Sequence, residues 1–504
     1  MCRRYPKFTL IKAALMTLVA FVWGNDASWA KQYDVGPGEK FRSVGEVPWG
    51  KLGPGDLVRV HWRKAPYREK ILISSKGTAL RPIRVAGVPG PGGEMPVLDG
   101  EDATTGPGID YLFDGMQDRG LLVIAPSNGS MKGVKPEYVE VEGLHFRNAA
   151  PPGVFRDRNG KPRRYVMHAA AIFVERGEHI TIRGCRMTRS SNGLFVASGA
   201  GEESQSRDIL VEGNDIRDNG NPGRMFEHNV YTEAIGITFQ FNHLGPPRSG
   251  AKGNSLKDRS AGTVIRYNWI EPGANLLDLV DPEESAAQAL KAPEFAETLV
   301  YGNVMINGPG PQTSMVHFGG DSGKVERYRK QLRFYQNTVV IGADQTGAKG
   351  RWRTILFRLE TNDQAVDARN NIIFCRPINE GRAATELALL DEHGRAEFGV
   401  NWVSPGWLLS PSGRGGGFSG TANGTKNFLD VSRNDPGFVE LLRLDLHPRM
   451  DSAAVGTGEL LGASPWKEHP ADRQYLSPRS SVPRPTKESH PDLGAFSAVL
   501  GKGG

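Results

Sequence analysis

Short segments of alternating apolar and polar residues recur along this chain, each closing on a small or turn-forming residue and one further position. Ile180-Thr181-Ile182-Arg183-Gly184-Cys185 shows the pattern, and 139–144, 209–214, 237–242, 263–268, 299–303, 332–337 and 366–371 repeat it. Alternation of this kind marks a strand with one buried face. Its return every 26 to 41 residues marks stacked units, each too small to bury its own apolar side. The pattern predicts an all-β chain: a single-stranded, right-handed parallel β-helix, or solenoid, with an N-terminal cap and an irregular C-terminal cap.

The closing positions of these segments form a column: Leu144, Cys185, Asn214, Asn242, Asn268, Asn303, Asn337 and Asn371. Parallel rungs lie about 4.8 Å apart, so stacked amides inside a turn can hydrogen-bond from coil to coil. A second set of strands, 171–174, 193–196, 229–232, 255–258, 276–279, 315–318 and 355–358, has an aliphatic second position that points inward. The third position then points outward, and it reads Phe173, Phe195, Tyr231, Lys257, Asp278, His317, Phe357. The next outward position contributes Glu175, Glu233 and Arg259.

The first thirty residues read as an export signal. Arg3, Arg4, Lys7 and Lys12 precede an apolar run too short to span a bilayer, and Ser28-Trp29-Ala30 offers small residues for cleavage. Residues 31–130 should form the N-terminal cap and first coils, 131–378 the β-helix proper, and 379–504 the final coil or coils, loops and cap. The expected localisation is periplasmic or extracellular, with no membrane span. The leader carries net +3 of a total of +6, so the remainder is only weakly basic, and nucleic acid is set aside as a partner. Cys185 and Cys375 lie on distant coils and are expected to be buried free thiols. The chain is expected to be a monomer.

Leu52-Gly53-Pro54-Gly55-Asp56-Leu57-Val58, and 77–85 followed by Leu98-Asp99-Gly100, resemble the first coils of the chondroitinase-B and alginate-lyase family. Asn254-Ser255-Leu256-Lys257-Asp258-Arg259 is similar to the strand on which that family carries a lysine base. The resemblance implies a polysaccharide lyase with Lys257 as that base. One coil on, this chain has Asp278 where the family has an arginine, and the family's calcium-binding acidic pair before the lysine is missing. No cofactor is required by this reading; calcium is compatible with the fold, but no oxygen cage can be assembled for it, and no metal ligands are assigned.

Cleavage by β-elimination needs a cation on the uronate carboxylate, a base for the adjacent C–H and an acid for the leaving oxygen. Lys257 and Arg259 share an outward face and suit the carboxylate. Arg259 lowers the lysine's basicity and Asp278 restores it, so Tyr231, His228 or His317 are the candidates for proton transfer. The candidate catalytic set is therefore Lys257, Arg259, Tyr231, His228, Asp278 and His317. Long insertions at 219–228, 243–254 and 281–297 flank it and add Arg248, Lys252, Glu283 and Glu284, with Glu233, Arg248, Lys252 and Asp281 expected to bind substrate.

The leading expectation is thus an exported enzyme acting on an anionic, uronic-acid-containing glycan. A glycoside hydrolase using Asp258, Asp278 and Asp281, a C5-epimerase, and a non-catalytic glycan-binding β-helix remain as alternatives. No phosphate loop, zinc-ligand spacing or nucleophile elbow is present.

Overall fold

The computed structural model describes residues 30–129, 134–307, 312–342, 352–376, 385–411, 417–431, 434–485 and 490–498. The export signal lies almost wholly outside them, at 1–29. Three parallel sheets stack along one axis, with thirteen, ten and ten strands, and every strand pairs with its counterpart one coil away. One coil runs from Ala170–Glu175 on the sheet that carries the cleft, through Glu178–Arg183 on the longest sheet, to Arg186–Thr188 on the third. The next coil restarts at Asn192–Ala197. The coil is a right-handed parallel β-helix, the hand expected of parallel crossovers.

The corner after the longest sheet explains the repeated closing step. Gly143, Gly184, Gly213, Phe241, Tyr267, Gly302, Gln336 and Asn370 all adopt a left-handed backbone, with φ between 55° and 69°. That turn costs an L-residue about 1 kcal/mol or more, and glycine little. It aims the following side chain into the coil. Asn242 Nδ2 donates to Asn268 Oδ1 at 2.9 Å, Asn268 to Asn303 at 3.0 Å, and Asn303 to Asn337 at 3.0 Å. Each oxygen also accepts the backbone N–H of the asparagine one coil earlier, as Asn268 Oδ1 does from Asn242. Cys185 begins the ladder by donating its N–H to Asn214 Oδ1 at 2.8 Å, and Asn401 extends it past Asn371.

The core is built the same way, from like side chains in register. Val141, Ile182, Val211, Phe239, Ile265 and Val300 stack through successive coils and are fully buried. Coiling continues through Thr385–Glu392, Arg395–Phe398 and Trp402–Val403 to Thr421–Asn423. The chain then folds back along the outside of the third sheet. There Val304, Val340, Ile372 and Phe374 turn apolar faces outward and are covered by Phe438, Leu446, Leu493 and Phe496. Cys185 is a buried free thiol; Cys375 is free but only half-buried, packed against the main core. Burial pushes both thiols up to about 12, so neither is reactive.

Candidate active site

The outward column of the cleft sheet holds its register from Phe173 through Phe195, Tyr231, Lys257 and Asp278 to His317. Its next member is Arg358, in place of the expected Phe357. Phe357 lies opposite Val316 and is fully buried, edge-on to Phe334 at 5.1 Å, whereas Arg358 points out to Glu392 at 2.8 Å and Glu360 at 3.2 Å. The aromatic end of the column is continuous, with Phe195 4.8 Å from Tyr231 and Tyr231 5.5 Å from His228, ring centre to ring centre.

Lys257 is buried and donates to Asp278 Oδ2 at 2.9 Å and Asp321 Oδ2 at 2.6 Å. Burial and Arg259 work against its charge, but the two carboxylates outweigh them and its pKa rises. It therefore stays an ammonium and is excluded as a base. Arg259 spans the site: Nε donates to the Tyr231 hydroxyl at 3.0 Å, Nη1 to the Asp281 carbonyl at 2.8 Å, and Nη2 pairs with Asp321 at 2.8 Å. Asp321 was not foreseen. It bridges the two cations from a turn more than sixty residues away in sequence. Burial opposes its charge, yet Lys257 and Arg259 hold its carboxyl below the ordinary range.

The two candidate histidines have opposite electrostatics. His228 is enclosed, and burial reinforced by Lys257 lowers its pKa to about 3. The Asn254 N–H donates to its Nδ1 at 2.9 Å, so the neutral ring carries its proton on Nε2 and acts as a donor. His317 is also buried, but Asp278 on Nδ1 and Glu360 on Nε2, both at 2.6 Å, overcome that burial and raise it to about 9. It stands behind Asp278 as an imidazolium with both nitrogens occupied, so it is removed from direct proton transfer. Asp278, despite burial, is held ionised by His317 and Lys257, and accepts a further bond from Asn254 Nδ2 at 2.6 Å. The Tyr231 pKa is raised, because burial outweighs the pull of Arg259 and Lys257 towards the phenolate.

Several expected substrate contacts are spent inside the protein. Glu233 Oε1 accepts the backbone N–H groups of Glu283 at 3.0 Å and Ser285 at 2.6 Å, which pins the third insertion. Asp281 is fully buried and accepts the Asp321 N–H at 2.9 Å and the Ser322 hydroxyl. Glu233 thereby fastens Glu283, and Asp281 positions Asp321. Arg248 lines a different cleft, while Lys252 stands exposed at the mouth of this one. Asp258 faces inward, where it accepts from Arg329 at 2.8 Å and from Thr232 and Thr263 at 2.6 Å each, so it cannot serve as a hydrolase carboxylate.

These groups open onto a cleft of about 690 Å³, within the roughly 300–1,000 Å³ usual for small-ligand pockets. Met225 and Phe226 stand exposed on its lip, on the 219–228 insertion. That insertion packs so closely on the next that a side chain at Gly253 would strike the Glu227 carbonyl. The Asp278 and Asp321 carboxylates of the cleft are matched to Lys257 and Arg259. Among the described residues one grouping has metal-ligand spacing, Asp34, Glu39 and His61 in the first coils, and Arg59 already holds Asp34 at 2.6 Å.

No family model matches the sequence, and no curated protein does. Among solved structures the chain is similar to a pectate lyase, Pel9A, at 13% identity and a TM-score of 0.45, over 94% of this chain and 97% of that one. It is also similar to an alginate lyase from Paenibacillus sp. str. FPU-7, at 12% identity and a TM-score of 0.38, over 68% and 94% of the two chains. A lacto-N-biosidase from Eubacterium ramulus matches at 14% identity and 0.38, over 71% and 68%. The fold assignment stands on the strand pairing itself.

Proposed function

We propose that this chain is a polysaccharide-active enzyme, and more narrowly a lyase that cleaves an anionic, uronic-acid-containing glycan by β-elimination. One observation carries the reading: a carboxylate, that of Asp321, sits on Lys257 at 2.6 Å and Arg259 at 2.8 Å, while the same guanidinium holds the Tyr231 hydroxyl at 3.0 Å. A sugar carboxylate that takes the place of Asp321 meets two fixed cations, which neutralise it and acidify the neighbouring C5–H. Tyr231, which Arg259 at 3.0 Å favours as phenolate against the opposing burial, takes that proton. The C–H electron pair forms the C4–C5 double bond, the C4–O bond breaks, and the departing oxygen takes the proton back from Tyr231. His228 offers its Nε2–H to a sugar oxygen. The leader read in 1–30 supports export to the periplasm or beyond.

Hydrolysis is the weaker reading. Asp278 and Asp321 are both held ionised by Lys257, so neither supplies the proton a glycosidic oxygen needs. The test is incubation with a panel of uronic acid polymers, including polygalacturonate and alginate, followed by ultraviolet absorbance of the unsaturated product. Tyr231→Phe should cut turnover by about 10²–10⁴-fold without moving the thermal unfolding midpoint. New reducing ends without ultraviolet absorbance would select the hydrolase. Binding that survives Lys257→Ala, with no turnover in the wild type, would select a binding protein.

A further inference from the structure

A second cleft, of about 350 Å³, opens on the corner that leads from the third sheet into the cleft sheet. Arg189 and Arg248 line it. They come from different coils and flank the same turn, since Arg189 N–H bonds to the Asp218 carbonyl and Arg248 N–H to the Asn219 carbonyl, each at 2.8 Å. Among the described residues, neither guanidinium has a carboxylate within ion-pair distance or a side-chain hydrogen bond. Their neighbours on the third sheet are all matched: Arg147 to Asp99 at 2.7 Å, Arg186 to Asp215 at 2.9 Å and Arg217 to Asp215 at 3.0 Å. Burial and the nearby Arg189 both press down the pKa of Arg248, and Asp218 only partly relieves it. Asp218 offsets more of the charge on Arg248 than Arg189 opposes, but among the described residues it makes no ion pair with either arginine, so a ligand carboxylate meets donors on the exposed Arg189 and the half-buried Arg248.

We infer that Arg189 and Arg248 form a second carboxylate-binding subsite, which takes a uronic acid residue of the same glycan chain some distance from the point of cleavage. This rests on the glycan reading of the main cleft. A planar carboxylate fits the guanidinium fork. Glu101 and Asp102, exposed on the far lip, narrow the ligand further: they repel a densely sulfated chain and accept hydrogen bonds from sugar hydroxyls. The 243–254 insertion links the two clefts, because Arg248 lines one and Lys252 the other. Four residues span at most about 14 Å of extended chain. A polymer reaches both clefts, whereas a single sugar reaches one.

The experiment is calorimetric titration of the full chain with oligogalacturonate, oligoguluronate and heparin oligosaccharides of about a dozen residues, at low and high salt. Arg189→Ala/Arg248→Ala should weaken one of the oligouronates by about tenfold or more, and the double lysine variant should recover only part of the loss. An unchanged affinity in the double alanine variant, with its unfolding midpoint intact, would overturn the inference. So would Arg-dependent binding of heparin alone, or no oligouronate binding in the wild type. If Arg189- and Arg248-dependent binding holds while no unsaturated product forms from any polymer, the lyase reading fails and the subsite stands.

Discussion

Two histidines are held in the same way on different sheets, and only one adjoins the cleft. His317 has Asp278 directly opposite one coil earlier, and Glu360 two residues beyond its partner one coil later. His243 on the third sheet has Asp215 directly opposite at 3.3 Å, and Glu271 two residues beyond its later partner at 3.1 Å. Both are raised to about 9. A histidine clamped between carboxylates is therefore something parallel register produces readily, and it does not by itself mark chemistry. The difference lies behind the aspartate. Asp215 is spent on Arg186 and Arg217, whose side chains are 38% and 45% exposed, whereas Asp278 holds Lys257, 11% exposed, at the floor of the cleft.

Removing the aspartate should separate the two clamps most. Asp278→Ala strips a buried ammonium of one carboxylate, frees the Asn254 amide and leaves His317 with Glu360 alone. We expect a loss of about 3–5 kcal/mol, because the remaining charges cannot reach water. Asp215→Ala should cost only about 1 kcal/mol, since its arginine partners are solvated. Urea unfolding of the two variants measures the difference, and equal losses would mean that the cleft clamp is no more buried in effect than the surface one.

The same contrast explains what the sequence made legible. The Asn ladder and the outward column from Phe173 to His317 could be aligned, because identical amides and strict alternation leave one register. Alternation becomes ambiguous where two apolar residues adjoin: Leu356 and Phe357 are both buried, and the expected register slipped by one there. That slip also hid Glu360, which follows Arg358 by two residues as Arg259 follows Lys257. Asp321 had no such signal. It lies in a turn after its strand, positioned by Asp281, and its partners are distant in sequence. Side chains in the periodic part of a coil can be aligned from sequence, while those in its turns are placed by tertiary contacts. Glu233 and Asp281 mark the converse case, acids expected to bind substrate that fasten the 281–297 insertion and the turn at Asp321.

Raising the pH should sharpen the comparison. A histidine near 6.5 when unfolded and near 9 when folded stabilises the protein fully below about 6.5, and the contribution is lost as pH climbs through 9. For His317, which is buried, the loss should be about 2–3 kcal/mol. For His243, whose side chain is 26% exposed, screening should make it smaller. Unfolding free energies at pH 6.5 and 9.5 should therefore fall in the wild type, fall distinctly less in His317→Gln, and fall nearly as much in His243→Gln. If the two variants flatten the curve equally, burial does not distinguish the clamps.

The smallest effect concerns turnover, and it decides whether the His317 clamp serves the site or only the fold. His317→Gln keeps one hydrogen bond to Asp278 but removes the positive charge behind it. Asp278 then pulls harder on Lys257, and the ammonium gives less to the substrate carboxylate, whose negative charge grows in the transition state. On whichever polymer yields unsaturated product, kcat should fall about tenfold, or roughly 1.4 kcal/mol, with KM little changed. His243→Gln, whose clamp ends at solvated arginines, should leave both constants alone. A merely structural role for His317 predicts lost stability without that kcat effect. The assay, run well below the unfolding midpoint of each variant, separates the two roles: a His317→Gln enzyme with wild-type kcat would place the imidazolium with its counterpart on the third sheet, as a fastening of the coil.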